Sequence, residues 1–288
     1  MELNLIKKEI ISLIKNKKEL SSIDDEFIEE KLNILLPKYK VDFSKYASFK
    51  QFQRSSNCKE IVSKLRSELR EIYGVFIKTS LNDFEKKINS IKSYDDKCVD
   101  EILLAHQSSN ERNSQYNLIY SKLFEELFSL GLLKKFTLIE LGCGFNPFAY
   151  KFFPIKPQKY YVSDISTQDV NLISKFFKNT DICGTASQLD LLNSNSLEYL
   201  STLEKIDLCF LLKTLDSLET KSRHISKKLI SSLNCEYFVV SFPTKTLGGK
   251  KTITQSKRNW FENFCTKEFG DFKTIEIPNE IFYIFKKK

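Results

Sequence analysis

Residues 137–152 read TLIELGCGFNPFAYKF: a short apolar run, an acid at Glu140, the glycines Gly142 and Gly144, then Asn146-Pro147. An apolar run of strand length that feeds a glycine turn is how an α/β sheet opens a nucleotide-type pocket at its carboxyl edge. In a dinucleotide fingerprint a third glycine lets the next helix pack closely beneath a pyrophosphate. Pro147 stands in that place, so the turn suits a nucleoside ligand that carries no pyrophosphate.

Downstream of this stretch the pattern alternates between strand and helix. The strands are expected at 137–141, 160–164, 182–188, 206–212, 237–242, 273–277 and 281–286, the last two forming an antiparallel hairpin around Pro278-Asn279-Glu280. Five parallel strands closed by such a hairpin make the layout of a Rossmann-like methyltransferase domain, an α/β fold. Upstream, the period is helical: Leu3, Ile6, Ile10, Leu13 and Ile14 form one stripe, and Phe27, Ile28, Leu32 and Leu35 form another before Pro37. Further helices are expected near 57–73, 81–92 and 94–105. The expected division is a helical N-terminal domain over 1–105, serving packing or binding, and a Rossmann-like domain over 106–288. At their junction, HQSSNERNSQYNLIYSKLFEELFSLG (106–131) predicts one long helix ended by Gly131, with Ser108 and Glu111 as a capping box.

In an open α/β sheet the ligand lies beyond the carboxyl ends of the strands. Asp164 stands there, 20 residues after Gly144, where a carboxylate can accept both hydroxyls of a ribose. With Gly142 and Gly144 it points to a ribose-bearing ligand, and Pro147 favours S-adenosyl-L-methionine over a dinucleotide. Asp190 is placed to accept from the adenine amino group, with Ile165 and Leu191 as apolar walls. Arg112 has no capping role in a first helical turn, where the dipole repels a cation, but it is a bidentate partner for a methionine carboxylate. Glu140 is positioned to meet the amino group.

The bulk numbers exclude several classes. Across 288 residues, 41% hydrophobic and 28% charged composition is that of a globular protein, with no apolar run of membrane-spanning length. The N-terminal MELNLIKKEIISLIKNKK lacks the apolar core of a signal peptide, so a soluble, cytoplasmic protein is expected. Seven cysteines without a C-x-x-C pair read as reduced thiols, and two histidines without ligand-spaced neighbours predict no metal site. The net charge of +8 divides as 20 basic minus 18 acidic residues over 1–105 and 25 minus 19 over 106–288, or +2 and +6. Residues 241–258 hold five basic side chains and no acid. They make either a solvated loop or a phosphate-contacting patch.

The segments HQSSNERNSQYN, ELGCGFNPFA, LCFLLKTLDSLE and VVSFPTKTLGGK follow one another across residues 106 to about 285. Together they resemble the aminoglycoside-resistance 16S ribosomal RNA methyltransferases of the Arm, Rmt and FmrO type, in which a helical N-terminal domain is also a trait. Ser109 stands where that family has threonine. The resemblance implies a class I S-adenosylmethionine-dependent enzyme that methylates N7 of one guanine, guanine 1405 of 16S rRNA, in the decoding site of the small (30S) ribosomal subunit, blocking aminoglycosides. It implies cofactor contacts from His106, Gln107, Ser108, Arg112, Gly142, Gly144, Asp164, Asp190, Leu191 and Leu212. Lys213, Glu219, Lys245, Lys250 and Lys251 would serve the RNA side, with Lys213 and Glu219 near the target base, and the first 105 residues would touch the ribosome. A monomer is expected.

The residues agree with that chemistry. Guanine N7 offers a lone pair and no proton, so its methylation needs alignment rather than a general base. Methylation at cytosine C5 would need a nucleophilic cysteine, and Cys143 in the glycine turn reads more readily as a packing residue. Two other readings remain at this level: a methyltransferase for another RNA site or a small molecule, and a non-catalytic RNA-binding homologue with a relic pocket.

Overall fold

The structure is a computed structural model that describes residues 3–17, 20–21, 23–73, 81–105, 107–245 and 252–287. It divides into two compact units: residues up to Leu81 with Ser166–Gln168, and Asn82–Ile165 with Asp169–Lys288.

Among the described residues the first unit holds the α-helices α1 (Leu3–Lys15), α2 (Asp25–Tyr39), α3 (Phe49–Arg54) and α4 (Ser56–Tyr73). Ile6, Ile10 and Ile14 fall on one face of α1 and are buried, as their spacing requires. Asp24 caps α2 by accepting the Glu26 N–H at 2.8 Å. Pro37 does not stop this helix at once. It sits in the last turn, and the chain leaves three residues later through Lys40 in the left-handed region, whose N–H bonds the Pro37 carbonyl. Phe52 of α3 is fully buried, with the rings of Phe43, Tyr46 and Phe49 edge-on at centroid distances of 5.2, 5.1 and 6.0 Å.

The second unit opens with α5 (Leu81–Ser90), α6 (Lys97–Ala105), α7 (Gln107–Arg112) and α8 (Tyr116–Ser129). The long helix expected over 106–131 is thus two helices, separated by a 3-10 turn at Asn113–Gln115. Asn113, Ser114 and Gln115 are residue types of modest helix preference, and they are followed by the aromatic stripe that α8 buries. Because α7 already begins at Gln107, Ser108 lies inside it rather than at its cap, and the Glu111 carboxylate is taken by Lys213. Arg112 consequently ends a helix instead of starting one, where the dipole favours a cation.

The sheet follows: β1 (Thr137–Leu141), β2 (Lys159–Asp164), β3 (Gly184–Gln188), β4 (Ile206–Leu212), β5 (Cys235–Pro243), β6 (Lys273–Ile277) and β7 (Glu280–Lys286). Between the strands run α9 (Thr167–Asn179), α10 (Ser194–Ser201), α11 (Leu215–Lys221), α12 (Ile225–Ser232) and α13 (Asn259–Glu268). The strand order is β3-β2-β1-β4-β5-β7-β6, parallel from β3 to β5, with β7 antiparallel to β5 and to β6. The order reverses between β1 and β4, so the carboxyl ends of those strands form the switch-point crevice. Leu208, Phe210, Val239 and Phe285, wholly buried, show why the inner strands read as continuous apolar runs. Among the described residues no helix is long and apolar enough to cross a membrane.

Candidate active site

The glycine turn is pinned to β2. Gly142 has φ +66°, and a Cβ there would lie 2.7 Å from Thr214 Cγ2. Only glycine meets both the backbone angle and the approach. The Cys143 N–H donates to the Ser163 carbonyl at 3.0 Å, and the Gly144 N–H donates to Asp164 Oδ2 at 2.8 Å. Asp164 therefore closes the turn with one oxygen while half-exposed at the strand end. Thr214, just past β4, seats its hydroxyl against the carbonyls of Leu212, Leu141 and Gly142.

Arg112 enters the crevice from the end of α7. Its Nε donates to Glu280 Oε2 at 2.8 Å and its Nη2 to Glu280 Oε1 at 2.6 Å, a bidentate pair, while Nη1 donates to Asn146 Oδ1 at 3.2 Å. Arg112 is 4% exposed and Glu280 1%. Glu280 also accepts from Ser241 Oγ at 2.5 Å and lies 3.4 Å from Lys213 Nζ. Burial alone would raise the Glu280 carboxyl, but Arg112 and Lys213 hold it below its ordinary value, so it stays ionised. Lys213, held at φ +56°, donates to Glu111 Oε2 at 2.7 Å. Two cations and two carboxylates are thereby balanced at the ends of α7, β4 and β7.

Beneath this layer lies Glu140, fully buried. Its carboxylate accepts from Asn146 Nδ2 at 2.9 and 3.2 Å and from the Tyr160 hydroxyl. Burial raises its carboxyl to about 7, against the lowering effect of Tyr160, Asn146 and Arg112. The side chain expected to meet an amino group is instead engaged inside the protein. Cys143 is buried as well, and burial pushes its thiol well above the usual value.

The remaining expected residues are placed as follows. Leu191 and Leu212 are buried at the strand ends, and Ile165 is half-buried. Asp190 closes an Asx turn, accepting the Leu192 N–H at 2.9 Å. Glu219 accepts the backbone N–H groups of His224 and Ser226, each at 2.9 Å, and so caps the start of α12. Gln107 and Ser108 lie on α7, and Lys245 is exposed. His106, Lys250 and Lys251 lie outside the described residues. A hollow of about 590 Å³ opens along the face of β1–β3 beside α10, lined in part by Ile139, Tyr161 and Tyr199, not at the strand ends. No metal-binding group of His, Cys, Asp or Glu occurs among the described residues.

Glu280, Asn146, Ser241 and Tyr160 were missed in the sequence. A signal for Glu280 exists, because an antiparallel strand begins at the edge where parallel strands end. Glu280 pairs with Pro243 across β5 and β7, at the carboxyl edge of the sheet.

A seven-stranded sheet of this order, with a glycine turn and an acid at the ends of β1 and β2, defines a class I S-adenosylmethionine-dependent methyltransferase. The model of the family described as "Ribosomal RNA methyltransferase (FmrO)" matches residues 52–284, and the chain belongs to that family. A protein of Micromonospora rosea named 16S rRNA (guanine(1405)-N(7))-methyltransferase is 28% identical over 238 residues, covering 79% of this chain and 83% of its own. One of the same name from Serratia marcescens is 26% identical over 238 residues, covering 82% and 87%. In fold, the chain is similar to the 16S rRNA methyltransferase RmtF in complex with S-adenosyl-L-homocysteine, at TM-score 0.74 and 21% identity over 100% of both chains. It is also similar to the 16S rRNA methylase RmtB, at TM-score 0.68 and 21% identity over 98% of both.

Proposed function

We propose that this chain transfers a methyl group from S-adenosylmethionine to N7 of a guanine in the decoding site of 16S rRNA, guanine 1405, on the assembled 30S subunit. The modification would confer aminoglycoside resistance, and the enzyme would act as a monomer in the cytoplasm, where its substrate resides. The observation that carries this reading is a strand-end cradle built for alignment, in which the half-exposed Asp164 is engaged with the glycine turn and no reactive thiol occurs among its described residues. Glu140 is sealed from solvent, and burial keeps the Cys143 thiol protonated. Such a site suits a nucleophile that brings its own lone pair.

The cradle fits the cofactor. Gly142 and Gly144 leave the turn without side chains, and Asp164 supplies the carboxylate for a ribose. Among the described residues Arg112 gives three N–H groups to Glu280 and Asn146, and its two Nη groups retain donors for a second carboxylate. Ile165, Leu191 and Leu212 provide apolar walls, and Gln107, Ser108 and His106 complete the contacts by family resemblance. When bound, S-adenosylmethionine supplies an activated methyl on its sulfonium. The chain's own residues hold and orient; Lys213 and Glu219 act as brace and cap rather than as direct contacts to the base.

On the RNA side, guanine N7 faces a groove of A-form RNA that side chains do not enter, so extrusion costs a few kcal/mol that backbone contacts must offset. Lys245, with Lys250 and Lys251 further along the sequence, supplies charge in the segment that follows β5. In the first unit, Lys17, Lys59, Arg66 and Arg70 line a hollow of about 330 Å³, a second surface for phosphate. Wild-type enzyme should incorporate labelled methyl into isolated small subunits. Arg112→Ala and Asp164→Ala should lose most of that incorporation at limiting cofactor and bind S-adenosylmethionine about tenfold or more weakly by calorimetry. Wild-type affinity in both variants would refute the cradle.

A further inference from the structure

The amide of Asn146 stands between a guanidinium and a carboxyl group. Its Oδ1 accepts from Arg112 Nη1 at 3.2 Å and from the Tyr120 hydroxyl at 2.8 Å, and its Nδ2 donates to both oxygens of Glu140. A guanidinium can only donate, so the amide oxygen must face Arg112, and the amide nitrogen is left to donate to Glu140. A residue in this place must accept on one side and donate on the other. Asparagine does both at the required length, aspartate cannot donate, and alanine reaches neither.

The position of this amide is itself fixed. Asn146 is 3% exposed, its N–H donates to the Cys143 carbonyl at 3.1 Å, and Pro147 follows it in a 3-10 segment. It is thereby tied to the turn of Gly142 and Gly144. Arg112, by contrast, ends a helix of six residues and is followed by a 3-10 turn, so its own backbone constrains its guanidinium little. Glu280 holds the Nε and Nη2 edge. That bidentate pair fixes the guanidinium relative to β7, and Asn146 ties its Nη1 directly to the glycine turn.

We infer that Asn146 is a positioning residue, one that registers the Arg112 guanidinium to the glycine turn through its side-chain amide. This rests on the proposed reading of Arg112 as the partner of the cofactor's carboxylate. Asn146 need not touch the cofactor itself; it acts through Arg112.

The test measures S-adenosylmethionine affinity by calorimetry for the full-length protein, together with KM and kcat on small subunits. Asn146→Ala is expected to weaken cofactor binding about tenfold, to raise the KM for S-adenosylmethionine in step, and to leave the KM for the subunit within about twofold. In an Arg112→Ala background the same change should add less than about twofold, because the residue through which it acts is gone. Asn146→Asp should be worse than alanine at about pH 8.5 and recover as the pH falls toward about 6, when the new carboxylate and Glu140 share a proton. The groups that face Glu140 are Tyr160, Tyr120, Tyr116, Arg112, Asp164 and the Cys143 and Cys209 thiols. None of the others acquires a new charge in this variant, so the ratio of variant to wild-type affinity isolates the pair. Tyr120→Phe, which removes the other donor to the same oxygen, should stay within about twofold of wild type.

If Asn146→Asp fails to fold, Asn146→Ala and Asn146→Ser carry the coupling measurement. Arg112→Ala weakening binding while Asn146→Ala binds as wild type would overturn the inference alone, as would additive losses in the double variant. Unchanged binding in Arg112→Ala would overturn the reading beneath it, and the inference with it.

Discussion

Arg112 shows how one side chain can be legible in type but not in setting. An arginine among strand-end acids announces a carboxylate partner, and the sequence supports a partner in the cofactor. The structure adds a permanent partner, Glu280, across 168 residues of chain, with Asn146 beside it. No local pattern encodes such a contact, because it depends on which strand lies next to which. The position of Asp164 was readable, because it follows a glycine turn at strand spacing, and the structure places it at the end of β2. Glu140 was readable as an acid at the same edge, yet its burial was not: Tyr160 one strand over and Asn146 six residues on convert it into a support for the layer above. The stability contribution of Glu140 follows in sign. Its carboxyl is raised from 4.5 to about 7 in the folded protein, so its favourable share is present below the unfolded value and declines as the pH rises through about 7.

At the scale of elements, the strands were the most legible part. The apolar runs of β1, β4 and β5 are buried on both faces and bounded by turns, and β1, β4 and β6 lie where the sequence places them. β3 begins later than the run from Ile182 suggests, because Asp181 at φ +53° keeps the chain in a turn there. The helix before β1 was misread for a related reason. Its periodicity continues across 107–129, but three polar residues divide it, and the division is what lets Arg112 close α7 beside Glu280. The hairpin of β6 and β7 acquires a role beyond closing the sheet, since its turn delivers Glu280 to the crevice. Glu280→Gln should therefore do more than loosen an edge. Removing one member of a buried ion pair leaves Arg112 uncompensated, at a cost of order 3 kcal/mol in denaturant unfolding. Cofactor affinity should fall with it. A variant as stable as wild type would show that the pair is not held as described.

At the scale of the whole molecule, charge is the quantity that the sequence reports and the fold organises. The excess of +6 over 106–288 pointed to the segment after β5, whereas the sum of +2 over 1–105 gave no such warning. There, helical spacing on α4 gathers Lys59, Arg66 and Arg70 onto one face with Lys17, a concentration that a net count averages away. Lys59→Glu with Arg70→Glu should weaken binding to small subunits and flatten its salt dependence, while calorimetry with S-adenosylmethionine stays unchanged. An unaltered salt slope would make that hollow a solvated face.

The central claim is that this cradle presents a methyl group to guanine N7. Small subunits treated with the enzyme and S-adenosylmethionine can be cleaved with aniline, which breaks the strand at N7-methylated guanine, and the break located by primer extension. The account predicts one enzyme-dependent stop, at guanine 1405 of the decoding site, absent without cofactor. Methyl incorporation without aniline cleavage, or cleavage at another guanine, would contradict it.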